Sequence, residues 1–279
     1  MSRVTFRNAR GLRLVGDLTA VDDRGSSGDL APVDDPAIVV MAHGFASDRR
    51  SRGRFPRIAA ALAEAGYASL AFDFTGCGES DDDVLTLEHQ IDDLHAAIAY
   101  TRALGYGRLA LHGHSLGGRV CLAAAPSQAA AIATTGAPTG PMRYEWHDFF
   151  SAEQRDELQR SGRVTMPQDE DRARSTVVAG AALLQALVDG DYPALLRGLR
   201  CPVLLIDGDG DDEERQAWRR RSRAFRSCRP ARASPFCPAL PTTSQAISTR
   251  SSSCSSAGLP STWRPRAASR HPRGAHEHP

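Results

Sequence analysis

Short apolar runs alternate with longer amphipathic stretches along most of this chain, and the two spacings predict two kinds of element. Ala37–Ala42 (AIVVMA), Ala68–Phe74 (ASLAFDF), Arg108–His112 and Ala129–Thr135 are brief and almost wholly apolar, the pattern of strands buried on both faces of a sheet. Arg54–Ala65 carries its apolar residues at helical spacing and stops at Gly66. Leu85–Leu104 does the same, with Leu87, Ile91, Leu94 and Ile98 roughly tracing one face, and Leu116–Ala125 predicts a third helix. Near the start, Val4–Phe6 and Leu12–Ala20 read as strands flanking Ala9-Arg10-Gly11, an edge hairpin. The Gly/Ser/Asp/Pro-rich stretch Asp22–Asp35 predicts a surface loop.

Strand and helix thus alternate from about Ala37 to Thr135, which predicts the α/β class: right-handed crossovers and a mainly parallel sheet with helices on both faces. Pro141–Asp191 breaks the rhythm. It is richer in charge, carries Trp146, His147, Phe149 and Phe150 near its start, and ends in the helical-looking Thr176–Val188, so it is expected to form a small cap above the sheet. Cys201–Asp207 (CPVLLID) returns as one more buried strand. The predicted organisation is one domain over residues 1–214, with the cap at about 141–191, followed by an atypical tail over 215–279.

Composition sharpens that boundary. From Arg215 onward there are 13 Arg against one acid, Glu277, with much Ser, Pro and Ala and no apolar periodicity. Such a segment buries too little surface to offset its ordering entropy, so an irregular tail is expected. Arginine-rich tails also suit nucleic acid, but the formal charge of +1 gives no global push toward it, and no nucleic-acid partner is expected. The chain has no Lys, as expected of a GC-rich gene. Its start lacks a secretory-signal layout and no apolar run reaches membrane-spanning length, so a cytoplasmic protein with no membrane partner is expected. Cys77, Cys121, Cys201, Cys228, Cys237 and Cys254 show no metal-ligand spacing; free thiols, no metal and no cofactor are expected.

The chemistry concentrates at Gly113-His114-Ser115-Leu116-Gly117, which fits G-x-S-x-G between a strand and a helix. A serine at such a tight turn sits in a strained conformation, small flanking residues relieve the crowding, and the hydroxyl projects at a helix N-terminus that favours negative charge. His43-Gly44-Phe45 follows the strand AIVVMA directly. Acyl transfer needs two donors aimed at the oxygen that becomes negative, and the backbone N–H groups of Phe45 and Leu116 are the expected pair. His43 is tempting as a base but is expected to brace its loop.

The succession HGF, FDFTGCGES and GHSLGG, each after a strand, resembles the α/β-hydrolase superfamily over about Arg3 to Asp212. From Val39 to Ala125 it looks most like cinnamoyl (feruloyl) esterases and serine-aminopeptidase-like hydrolases. The resemblance implies the α/β-hydrolase fold, a Ser115 nucleophile and an acid after a late strand. Gly208-Asp209-Gly210-Asp211 is similar to the family's G-x-x-D turn, which maps the acid onto Asp211, with Asp209 as runner-up. Asp73, Gly76, Gly78 and Ser80 fall in a turn that shapes the sheet end and is expected to be structural.

The family's order places the histidine after the acid, yet only His271, His276 and His278 follow, all in the arginine-rich tail. An out-of-frame reading of a GC-rich gene would account for this; a genuine divergent tail is the alternative. Shifted by two bases, the codons from Phe236 to Thr243 are compatible with Leu-Pro-Gly-Ala-Ala-Asp-His, similar to the family's histidine loop. The expected reaction is hydrolysis of a small-molecule carboxylic ester through Ser115. The alternatives are a crippled hydrolase fold without its histidine, and a peptidase or thioesterase. Trp146, Phe149 and Phe150 predict an apolar or aromatic acyl pocket.

Overall fold

The computed structural model describes residues 1–21, 36–124, 127, 129–138, 149–169, 172–189 and 192–207. Its first two strands, β1 (Ser2–Arg7) and β2 (Arg13–Thr19), form the antiparallel hairpin, turning at Gly11 with φ 81°. Then come β3 (Ala37–Ala42), α1 (Arg54–Glu64), β4 (Ala68–Phe72), β5 (Val84–Leu85), α2 (Leu87–Ala103), β6 (Arg108–His114), α3 (Leu116–Ala124) and β7 (Ala129–Thr135). The later elements are α4 (Ala152–Ser161), β8 (Arg163–Pro167), β9 (Thr176–Gly180), α5 (Ala181–Asp189), α6 (Tyr192–Arg197) and β10 (Val203–Ile206).

Seven strands form one sheet in the order β1-β2-β4-β3-β6-β7-β10, with the hairpin at one edge. From β4 to β10 every neighbouring pair is parallel, and β2 meets β4 antiparallel. Side chains alternate across β3 because successive residues point to opposite faces. Ile38, Val40 and Ala42 enter the larger core, which includes Leu94 of α2 and Val120 of α3; Met41 joins Phe55 and Ala59 of α1 on the other face. Both faces of β3 are thus covered, which is why it reads as a continuous apolar run; β10, expected as one more buried strand, instead lies at the sheet edge with Leu204 and Ile206 exposed.

Several details differ from the sequence reading. Thr176–Gly180 is a strand, and only from Ala181 does the chain become helical. With β5 and β8 it makes a second, three-stranded sheet in the order β5-β9-β8. Its β-branched start, Thr-Val-Val, favours extended backbone, whereas the following Ala-Ala-Leu-Leu favours helix. The second strand of the hairpin is shorter than Leu12–Ala20, and β4 ends at Phe72, although the Asp73 N–H still bonds the Val15 carbonyl of β2 at 2.8 Å. The expected loop at 22–35 and the tail at 215–279 lie outside the described residues.

Two glycines make the β6–α3 turn possible. A Cβ on Gly117 would stand 2.1 Å from the Ala42 carbonyl oxygen and 2.3 Å from that of His43. A Cβ on Gly113 would stand 2.3 Å from the Gly118 Cα. Both obstacles are backbone and cannot rotate aside. Gly117→Ala is therefore expected to lower stability by about 3 kcal/mol or more, or to prevent folding. Urea denaturation checks this; a midpoint equal to wild type would contradict so close an approach of α3 to the end of β3.

Candidate active site

Ser115 occupies the single residue between β6 and α3, with φ 52°, a left-handed conformation that non-glycine residues rarely adopt. The structure over-determines it. The Ser115 N–H donates to the Thr135 carbonyl at the end of β7 (2.9 Å), and its own carbonyl accepts from Gly118 and Arg119 in the first turn of α3 (2.9 and 3.3 Å). Such strain persists only where the surroundings hold it, and it clusters at functional sites.

The loop after β3 lies against this turn. A Cβ on Gly44 would sit 3.3 Å from the Ser115 Cβ, so the Gly44–Phe45 backbone borders the serine side chain. Phe45 and Leu116 are both buried, and Leu116 opens α3. The structure thus brings Ser115, Phe45 and Leu116 to one place. Asp211, its runner-up Asp209, Trp146 and the tail histidines His271, His276 and His278 lie outside the described residues.

His43 is fully buried and both ring nitrogens face backbone. Nδ1 lies 2.8 Å from the Gly44 carbonyl, and Nε2 accepts from the Phe74 N–H at 3.1 Å. With Nε2 accepting, Nδ1 carries the proton and donates to Gly44. The ring packs edge-on against Phe74, and burial pushes its pKa down despite the nearby Asp73 and Asp48 carboxylates. The residue is a neutral strut tying the loop after β3 to the chain after β4.

The turn Asp73–Ser80 is a second tie. Asp73, fully buried, accepts from the Arg49 N–H (2.6 Å), the Arg49 guanidinium (2.5 Å) and the Glu79 N–H (2.9 Å). Arg49 also reaches Asp17 (2.9 Å) and Glu79 (3.0 Å), and these carboxylates raise its pKa further against the cost of burial. The Ser80 hydroxyl donates to the Asp73 carbonyl at 2.7 Å while accepting from the Val15 N–H at 3.0 Å. These contacts join β2, the β3 loop and the β4 turn. Asp73 was marked by its motif; Arg49 was not, since nothing in the apolar pattern distinguishes it from Arg50.

Arg172 and Arg174, within the expected cap, fasten that segment down. Arg172 pairs with Asp48 at 2.7 Å, and Arg174 with Asp82 and the Ser80 carbonyl. Phe150, expected in the acyl pocket, instead lies buried in the main core, with Phe149 packed partly buried against it.

The comparisons with known proteins follow the same lines. The model of the alpha/beta hydrolase family matches residues 39–238. Quorum-quenching protein AidA of Acinetobacter baumannii (strain MDR-ZJ06) is 37% identical over 94 residues, 32% of this chain and 30% of that protein, so the match spans under a third of that relative's length. Est1E from Butyrivibrio proteoclasticus, solved with ferulic acid bound, superposes with a TM-score of 0.58 at 17% identity, covering 81% of this chain and 87% of that one. The esterase domain of a Rhodothermus marinus protein gives a TM-score of 0.53 at 26% identity over 82% and 83% of the two chains. Among the described residues no helix is long and apolar enough to cross a membrane.

His114, beside the serine, is pushed down to a pKa of about 4, first by burial and then by the Arg54 guanidinium. His112 falls to about 4 through burial alone. The unfolded chain takes up these protons near pH 6.5 and the folded chain near 4, so stability is full above 6.5 and falls as pH drops through that window. The urea midpoint is expected to be lower at pH 4.5 than at pH 7, and His114→Gln should shrink the difference. An undiminished drop in the variant would show that His114 is not the group concerned.

Proposed function

The chain belongs to the α/β-hydrolase family, and on that premise we propose that it hydrolyses carboxylic esters through an acyl intermediate on Ser115. The observation that carries this reading is the left-handed Ser115 held between β6 and α3, with the Gly44–Phe45 backbone against it. In the first step the Ser115 oxygen bonds to the ester carbonyl carbon, its proton passes to a general base, and the carbonyl oxygen becomes negative. Collapse expels the alcohol, which takes that proton; water then attacks the acyl-serine and releases the acid.

The Phe45 and Leu116 N–H groups are the proposed donors to the developing oxyanion. Leu116 stands at the first position of α3, where the N–H is outside the helical ladder. Phe45 is aimed through His43. The Gly44 carbonyl and the Phe45 N–H belong to one planar trans peptide and point in opposite directions, so the His43 bond that fixes the carbonyl also fixes the amide.

Asp211 is the proposed triad acid. The end of β10 supports this: Ile206 pairs with Thr135, the residue whose carbonyl holds the Ser115 N–H, so the chain leaves β10 at the serine's end of the sheet. Open α/β sheets bind ligands at that end of their strands.

A second reading, a hydrolase fold lacking its base, is favoured by the described histidines. His43 is spent on its loop, His89 on Asp83 and the Val84 carbonyl, His112 packs on Phe55, His114 is near Thr135, and His95 is exposed on α2. None hydrogen-bonds the Ser115 hydroxyl among the described residues. Removing such a base costs several powers of ten in rate. On the first reading, the full chain hydrolyses short 4-nitrophenyl esters and Ser115→Ala abolishes this while leaving the melting temperature nearly unchanged. A full chain with no turnover above the uncatalysed rate would favour the second reading, whereas a clearly active full chain matched by Ser115→Ala would refute the nucleophile.

A further inference from the structure

The two edges of the main sheet are built differently. β1 closes one edge with Arg3 and Arg7 among its residues, and Arg3 pairs with Glu79. Charged side chains of this kind discourage another strand from adding on. β10, at the other edge, is Val203-Leu204-Leu205-Ile206 and carries no charge. Val203 and Leu205 pack against the main core, while Leu204 and Ile206 point the other way and are 53% and 41% exposed. Among the described residues no strand lies on its outer side.

The backbone of β10 offers a matching row of donors and acceptors. Pro202 and Ile206 turn their carbonyls to β7, accepting from Ile132 and Gly136 at 3.0 and 2.8 Å. Successive residues of a strand direct their N–H and C=O groups to opposite sides, so Val203 and Leu205 present theirs to the open side. A second β10 laid antiparallel about a twofold axis at Leu205 fits this row. Leu205 and its copy exchange both hydrogen bonds. Leu204 then stands opposite Ile206 in a non-hydrogen-bonded pair, where side chains approach most closely. All four exposed side chains fall on one face of the joined sheet. A register centred on Leu204 would instead set Ile206 opposite Pro202. The remainder of the chain is a poorer partner, because residues 215–279 hold 13 Arg and have no apolar alternation.

We propose that β10 is a self-association edge, through which two copies of this chain join antiparallel into one continuous sheet with Leu205 at the twofold axis. The interface is isologous and closes at two copies. Because the paired strands run oppositely, the two serine turns lie at opposite ends of the joined sheet. The association does not depend on ester turnover. A four-residue edge makes a small interface, so a dissociation constant on the order of micromolar is expected.

Sedimentation velocity of the full chain over about 1 to 100 µM, bracketing that range, tests the proposal. The mass should approach twice the 30.0 kDa of one chain as concentration rises. Hydrogen exchange at the Leu205 amide should slow over the same range. Leu204→Arg sets two guanidiniums on the shared face and should weaken association about tenfold or more, with the melting temperature unchanged. If that variant does not fold, Ile206→Arg carries the same comparison. Leu104→Arg, which charges another exposed leucine after α2, should leave the dimer intact. A chain that stays monomeric throughout overturns the proposal, including one whose Leu205 amide is protected equally at every concentration by its own tail. So does a dimer that survives both Leu204→Arg and Ile206→Arg, or association that grows past two copies.

Discussion

The packing of one helix start against the carbonyl ends of a neighbouring strand governs how the rest of the molecule is arranged. Gly117 of α3 lies where any Cβ would meet the Ala42 and His43 carbonyl oxygens, and Gly113 lies where any Cβ would meet Gly118. Because α3 can approach β3 so closely, the turn between β6 and α3 is sharp enough to force Ser115 to φ 52°. The same contact brings the loop after β3 alongside the serine, so the proposed nucleophile and the proposed oxyanion donors are positioned by one steric fact.

The polar ties make that arrangement hold. His43 fixes the loop from one side through Gly44 and Phe74, and Arg49 fixes it from the other through Asp73, Asp17 and Glu79. Removing either partner of the buried Arg49–Asp73 pair would leave an uncompensated charge in the interior, at a cost of about 3–5 kcal/mol. These contacts touch no substrate, yet the orientation of the Gly44–Phe45 peptide depends on them. The Arg172–Asp48 pair extends the same scaffold to the segment before β9.

Much of this arrangement is legible in the sequence. The runs AIVVMA, ASLAF and RLALH gave central strands because a parallel sheet buried on both faces leaves no polar alternation to confuse them. The glycines flanking Ser115 and the histidine after β3 were recognisable because their reasons are local: a crowded turn and a loop needing a brace. Other features depended on partners far along the chain. Val84–Leu85 is too short to announce a strand until β9 pairs with it, and Thr176–Gly180 ran unbroken into a helix in the pattern. Phe150 looked like a pocket residue but is drawn into the core, and Arg49 gave no sign that it would be buried among three carboxylates. The expected acid Asp211 and the tail histidines fall outside the described residues, so the sequence remains the ground for them.

The central claim is that this geometry activates one hydroxyl. Intact-mass spectrometry and peptide mapping of the full chain after treatment with a fluorophosphonate would test it most directly. The account predicts a single adduct, on Ser115, formed far faster than on Ser115→Ala or on the urea-unfolded chain. No adduct on Ser115 under native conditions, or labelling no faster than in the unfolded chain, would contradict it.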